Sequence, residues 1–444
     1  MFDALKLRYL NFVTCVRRRR VTYVVCGFLW WVPAIICSAQ ERFNDAPIRY
    51  VDAAVHDRVQ LLARKLENGE HQLAWDQKYG WLPSLLNALD IPTDSQTLVF
   101  SKTSLQIHAI NPRNPRALYF NDDVYLGWVP GGDLIELSAV DPVQGAIFYS
   151  LKTEFDSQPR IQRDNSRCLS CHATGNTQNV PGYLVRSVFA GKNGHPHYAL
   201  GTTTTDHTTA FEDRFGGWYV TGEHGLMRHR GNVFARNDAN DPLDRDEGAN
   251  RPQLPDLVDV SRYLAENSDL VALMVLEHQS QMHNYITRAS YETRLAIHYE
   301  ESMNEIFERP AGTLSESAER RIASACEQLI EYLLFCDEAD LQGPLKGSSP
   351  FAETFQQQGI RDSKGRSLRD LDMHQRMFKY PCSFLIHSAA FDALPQRALT
   401  YIARRLSEIL TGTDSSEKFS HLSVADRGAI LEHLSETKPQ LWAR

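Results

Sequence analysis

Thr97-Leu98-Val99-Phe100, Ala117-Leu118-Tyr119-Phe120, Val124-Tyr125-Leu126-Gly127-Trp128-Val129, Leu134-Ile135-Glu136-Leu137-Ser138-Ala139-Val140 and Ala146-Ile147-Phe148-Tyr149-Ser150-Leu151 follow one another within 55 residues. Each run is short and rich in β-branched and aromatic side chains, which suit a pleated, half-buried surface. Between them stand turn clusters such as Asn111-Pro112-Arg113-Asn114-Pro115, Pro130-Gly131-Gly132 and Asp141-Pro142. The stretch therefore predicts four or five antiparallel strands.

On its N-terminal side Val51, Val55, Val59, Leu62 and Leu66 recur every three to four residues, the period of an amphipathic helix, and a shorter helix is expected around Leu85 to Leu89. On its C-terminal side residues 152–235 read as mostly irregular, with short strands near Leu184 to Ala190 and Trp218 to Thr221 and a short helix from His207 to Arg214. Asn237 to Pro255 is polar and turn-rich, the texture of a linker. Beyond it helices are expected over Val258–Leu264, Leu270–Phe307, Glu316–Phe335, Leu368–Phe378, Leu394–Leu410 and Val424–Ser435. The reading is an α+β fold: a β-rich region over 40–236 with an irregular centre, a linker over 237–255 and a mainly α-helical domain over 256–444.

The composition fits a folded protein of two to three domains. The chain has 444 residues, 42% of them hydrophobic and 23% charged, and its 20 Phe, 17 Tyr and 7 Trp are enough for sizeable cores. Eight cysteines are too few for a disulfide scaffold. A net charge of −8 lacks the basic excess of a nucleic-acid binder.

Arg17-Arg18-Arg19-Arg20 is followed by sixteen uncharged residues, Val21 to Ile36, and then by Cys37-Ser38-Ala39. That order predicts a secretory signal peptide over 1–39 cleaved after Ala39, with an uncleaved membrane anchor as the alternative. Ile36 stands where a lipoprotein signal wants a small residue. Both readings export the rest of the chain to the periplasm or beyond. Without residues 1–39, which carry six basic and one acidic side chain, the net charge is −13. An acidic body allows docking to a basic redox partner protein and disfavours anionic membranes.

Cys168-Leu169-Ser170-Cys171-His172 is the C-x-x-C-H arrangement of c-type haem attachment. Two thiols three positions apart can each bond a vinyl group of one porphyrin, and the adjoining imidazole reaches the iron. Two alternatives stand beside it. Structural zinc needs two more soft ligands, whereas Cys326 and Cys336, ten residues apart along a helix, lie on the order of 15 Å from each other. A thioredoxin-like pair should follow an apolar strand, but Cys168 follows Arg163-Asp164-Asn165-Ser166-Arg167.

The second axial position of the iron decides between electron transfer and small-molecule chemistry. His224, His229 and Met227, within Gly216 to Asn232, are the candidate ligands, and Glu223, Arg228 and Arg230 would suit peroxidase-like proton transfer and charge stabilisation. Met274, His278 and Met282 share one helical stripe, while His278 and His283 point about 140° apart, so this set reads as core. His195 and His197 form a further loop candidate at the haem edge.

The chain resembles a family of uncharacterised exported bacterial proteins with a single c-type haem motif. The resemblance lies in Asn111 to Phe120, the Cys168–His172 motif, Gly216 to Gly225 with Arg228-His229, Gln281-Met282-His283-Asn284, Tyr380-Pro381-Cys382-Ser383 and Phe391 to Pro395. It spans nearly the whole exported chain. It implies one covalent haem c with its iron, attached at Cys168 and Cys171 and ligated by His172, and it implies no particular substrate. Unlike small soluble cytochromes c, the chain places 167 residues before its motif, and those nearest read as strand and loop. The expected function is electron transfer. The alternatives are a haem oxidoreductase with an open distal site and a haem-bearing sensor or docking subunit.

Overall fold

The computed structural model describes residues 43–236 and 243–443. The predicted signal or anchor over 1–39 and the first residues of the expected linker lie outside this range. Among the described residues no helix is long and apolar enough to cross a membrane.

The chain begins with helix α1 (Arg58–Glu67) and helix α2 (Leu82–Ala88). Val51 and Val55 keep the helical spacing but precede α1. The helix starts where the Asp57 carboxylate accepts the Val59 and Gln60 N–H groups, both at 3.0 Å. Five antiparallel strands follow in meander order: β1 (Thr97–Val99), β2 (Arg116–Phe120), β3 (Val124–Trp128), β4 (Leu134–Asp141) and β5 (Gly145–Lys152). Two-residue strands from the irregular centre extend both edges, β6 (Gln162–Arg163) beside β5 and, further along the chain, a strand over Trp218–Tyr219 beside β1. The result is a seven-stranded antiparallel sheet.

Register assigns the two faces. Ala117 and Tyr119, Leu126 and Trp128, Leu137 and Ala139, and Ile147 and Tyr149 share one face and are buried. On it the Tyr149 hydroxyl reaches the Asp57 cap of α1 at 2.5 Å. The opposite face carries Phe120, Tyr125, Ser138 and Phe148 in one cross-strand row.

The centre holds helix α3 (Leu169–His172), the small ribbon β7 (Arg186–Val188) with β8 (Thr202–Thr204), the sheet-edge strand β9 (Trp218–Tyr219) and β10 (Gly222–Glu223). The helix expected over 207–214 is a 3₁₀ turn at Phe211–Asp213. The described part of the expected linker, 243–255, is tied into the fold: Leu243 and Leu254 are buried, and the Gly222 N–H donates to the Arg251 carbonyl.

Helices α4 (Leu270–Ile306) and α5 (Glu316–Leu333), strand β11 (Lys346–Gly347) paired with β10, and helices α6 (Phe351–Gln357), α7 (Ala389–Asp392), α8 (Gln396–Leu410) and α9 (Val424–Thr437) complete the molecule. Side-chain caps at Asp269, Ser315 and Ser423 start α4, α5 and α9. Two of the helices expected beyond residue 255 are absent. Val258–Leu264 has only a 3₁₀ turn at Val260–Arg262. In Leu368–Phe378 the Asp372 carboxylate takes the backbone N–H groups of His374 and Gln375 and folds the segment into a turn, closed by a bridge between Leu371 and Phe378.

Helix α4 is buried on all sides from Leu270 to Asn284 because it runs between the sheet and the helical layer. Gln279 donates to the Asn121 carbonyl and the Tyr125 hydroxyl on the sheet side, while His278 stacks on Phe335 and Tyr332 on the other. The fold is thus α+β, with a β-rich N-terminal part and a mainly helical C-terminal part.

Candidate functional site

Asp164, just after β6, starts the site. Its carboxylate accepts the N–H groups of Ser166 at 3.0 Å, Arg167 at 2.8 Å and Cys168 at 3.3 Å and turns the chain into α3. Cys168, Cys171 and His172 therefore lie on one helical turn, with Cys168 half-buried, Cys171 exposed and both thiols free.

Past α3 the chain turns through Gln178 and Asn179, both in the left-handed region, and brings Gly182 back against His172. The Gly182 N–H donates to the His172 carbonyl at 2.8 Å, and His172 Nδ1 meets the Gly182 carbonyl at 2.9 Å. A carbonyl only accepts, so the ring proton sits on Nδ1 and Nε2 keeps its lone pair. Nε2 has no hydrogen-bond partner among the described residues. Burial lowers the His172 pKa, which keeps the ring neutral.

The returning loop is held in turn by α4. Tyr183 N–H donates to Asn284 Oδ1 and Asn284 Nδ2 donates to the Tyr183 carbonyl, each at 2.8 Å, and Nδ2 also reaches Gln281 Oε1 at 2.7 Å. A Cβ on Gly182 would collide with Asn284 Oδ1, so the clamp closes only on glycine. The Phe148 ring, on the sheet, lies 4.9 Å from the His172 ring.

These donors fit a c-type haem. Two free thiols stand on one turn, and the adjoining imidazole has a fixed tautomer and an open nitrogen, the outer-shell arrangement that metal-binding histidines use. The alternatives fit less well. Burial, then the nearby carboxylates of Asp164 and Glu136, push the Cys168 thiol up to about 12, opposite to the activated thiolate of a disulfide oxidoreductase. Among the described residues no three His, Cys, Asp or Glu side chains are placed to hold a metal ion, and Cys326, Cys336 and Cys382 are buried free thiols.

Comparison with family models, with curated proteins and with solved structures found no match to this chain.

His224, Met227 and His229 come together with one another, and no hydrogen bond or ring contact among the described residues joins them to His172. The His224 and His229 rings are 4.7 Å apart, and both pack against Phe211. Both nitrogens of His224 are engaged: Nδ1 donates to the Met227 carbonyl and Nε2 accepts the Asn250 N–H, each at 2.8 Å. The Met227 sulfur accepts the Gln342 N–H at 3.4 Å. His229 Nδ1 accepts the Gly231 N–H at 3.0 Å, and its buried Nε2 is unpartnered. Burial lowers both pKa values, that of His229 more strongly. Glu223 is exposed, while Arg228 pairs with Asp246 and Arg230 with Asp213.

His278, Met274 and Met282 are core residues, as their stripe predicts. His283 Nε2 donates to the Asp122 carbonyl at 2.8 Å, and its ring lies 5.8 Å from that of Tyr183. His195 is exposed and His197 half-buried in the loop after β7. Sequence reasoning passed over Gly182, Tyr183, Phe148 and the Arg116–Glu136 ion pair. A run of amide and imidazole side chains, Gln279 to Asn284, close behind the apolar run Leu270 to Leu276 was the one signal pointing towards the clamp.

Proposed function

We propose that this chain is an exported monohaem c-type cytochrome that transfers electrons, with haem c bonded to Cys168 and Cys171 and its iron ligated by His172. The observation that carries the reading is the hydrogen bond from His172 Nδ1 to the Gly182 carbonyl, which orients the ring beside two free thiols on one turn. When bound, the group supplies one-electron chemistry at iron. The chain's own residues do the rest. Gly182 holds the Nδ1 proton and raises the basicity of Nε2, Asn284 holds Gly182 in place, and Phe148 fixes the ring from the sheet side. Export by the N-terminal segment supports thioether attachment outside the cytoplasm, and the acidic body suits a basic redox partner protein.

A denaturing gel stained for haem tests the reading on the exported protein and on the Cys168→Ala/Cys171→Ala variant. The expected result is a haem-stained wild-type band that disappears in the variant. A wild-type band without haem overturns the proposal.

A second reading is a ligand-accepting haem, in an oxidoreductase or a sensor. It is favoured by His224 having both nitrogens engaged and Met227 having its sulfur in a hydrogen bond, since two of the three candidate second ligands are then occupied. A reduced protein whose spectrum shifts with carbon monoxide supports this reading. An unchanged low-spin spectrum supports electron transfer.

A further inference from the structure

The sheet face that carries Phe148 is unevenly covered. The row Phe120, Tyr125, Ser138 and Phe148 lies under α4 and the 168–183 segment, with Phe120, Ser138 and Phe148 buried. One step along, the register aligns Leu118, Gly127, Glu136 and Ser150, and of these only Gly127 is buried. Gly127 has no side chain of its own, and the Leu118, Arg116 and Glu136 side chains lie over it, 3.2 to 3.4 Å from where a Cβ would stand. Arg116, next to Leu118 on the same face of β2, reaches across and pairs with Glu136 at 2.7 Å; the two side chains are 18% and 19% exposed.

This shelf is continuous with the attachment residues. Phe148 is two positions from Ser150 on β5 and touches the His172 ring. Glu136 lies near enough to act on both the Cys168 thiol and His172, and Arg116 acts on His172 as well. Glycine at the centre of the row lets the Leu118, Arg116 and Glu136 side chains lie low over the strand, and together they form the surface on which a planar ring system beside the attachment atoms would rest.

We infer that the Leu118–Gly127–Glu136 row is the bed on which the haem lies, and that the Arg116–Glu136 pair, which bridges Gly127 within that row, tunes the redox potential. The inference rests on the haem reading of Cys168, Cys171 and His172. Covering the pair removes water from it, so each charge acts on the iron more strongly than it would at an open surface. A negative charge stabilises the oxidised, more positive iron, and a positive charge does the reverse. Glu136→Gln therefore raises the midpoint potential and Arg116→Gln lowers it, whereas simple loosening of the site would move both the same way.

The test uses the full exported protein. Redox titration of wild type, Glu136→Gln and Arg116→Gln is expected to give shifts of opposite sign. Hydroxyl-radical footprinting read by mass spectrometry is expected to show Leu118 oxidised several-fold less in the haem-bearing protein than in the Cys168→Ala/Cys171→Ala variant. The atoms nearest to a Cβ at Gly127 are side-chain atoms of Leu118, Arg116 and Glu136, at 3.2 to 3.4 Å, and Gly127→Leu, which pushes these side chains up from the row, is expected to lower the yield of covalent haem. If the wild type stains for haem but Leu118 is oxidised equally in both proteins and the two charge variants shift together or not at all, the bed is wrong and the attachment reading stands. A wild type without covalent haem overturns both.

Discussion

Gly182 and Asn284 fix His172 in series: the Gly182 carbonyl takes the Nδ1 proton of the ring, and Asn284 holds the neighbouring Tyr183 backbone without touching the ring. Asn284 satisfies both backbone groups of Tyr183, a residue buried between the sheet and α4. Asn284→Ala strands a buried N–H and a buried carbonyl, which costs about 1–3 kcal/mol. Asn284→Asp keeps the acceptor for the Tyr183 N–H but sets a buried carboxylate against the Tyr183 carbonyl and Gln281 Oε1, so it should cost more than alanine. Urea denaturation of the three proteins measures this order, and an alanine variant with the wild-type midpoint would show that the clamp adds nothing to stability. Cys168, Cys171 and His172 stood out as candidates because the c-type haem motif compresses its requirements into five positions. Asn284 did not, since its bond to Tyr183 spans 101 residues and no local pattern encodes it.

At the scale of elements, side-chain type and turn residues account for much of what could be read in advance. The strands of 97–151 were legible because β-branched and aromatic runs stand between turn clusters, and the sheet buries most of both faces of these runs. Helices were legible where an apolar stripe coincided with a cap, as at Asp269, Ser315 and Ser423. They were misread where a short polar side chain won the backbone, as Asp372 did in 368–378 and Asp57 did ahead of α1. The Asp57 cap also joins two layers, because its second oxygen accepts the Tyr149 hydroxyl from β5. Losing a cap alone costs about 1 kcal/mol. Asp57→Ala should cost more, because it also leaves a buried phenol unpaired, and Tyr149→Phe in the same chain should recover part of the loss. Thermal melts of the two single variants and the double variant check this, and strictly additive losses would mean that the hydroxyl bond does not couple α1 to the sheet.

At the scale of the whole molecule, the 203–215 segment and α4 share a buried charged cluster that couples the β-rich and helical parts to pH. Arg214 and Glu277 are 2% and 0% exposed and pair at 3.2 Å, and beside them His207 Nδ1 meets His278 Nδ1 at 2.8 Å. Burial drives the two histidines down, His207 well below 6.5 and His278 to about 3, and both stay neutral. Their contribution to stability is present above about 6.5 and is lost as pH falls, because the unfolded chain takes up two protons that the native state refuses. Glu277 has the opposite sign. Burial pushes it up to about 7 against the pull of Arg214, so between about 4.5 and 6.5 the native state binds a proton there that the unfolded chain does not. The cluster thus nets about one proton taken up on unfolding, or roughly 1.4 kcal/mol of stability lost per pH unit on acidification. Glu277→Gln removes the opposing proton and leaves both histidines. Its stability should therefore fall more steeply than that of the wild type across this window, by roughly a further 1.4 kcal/mol per pH unit. Denaturant titrations at pH 6.5, about 5.5 and 4.5 compare the two slopes directly, because every other titrating group contributes equally to both proteins. Parallel slopes would mean that Glu277 is ionised throughout and that the Arg214 pair, not burial, governs its proton.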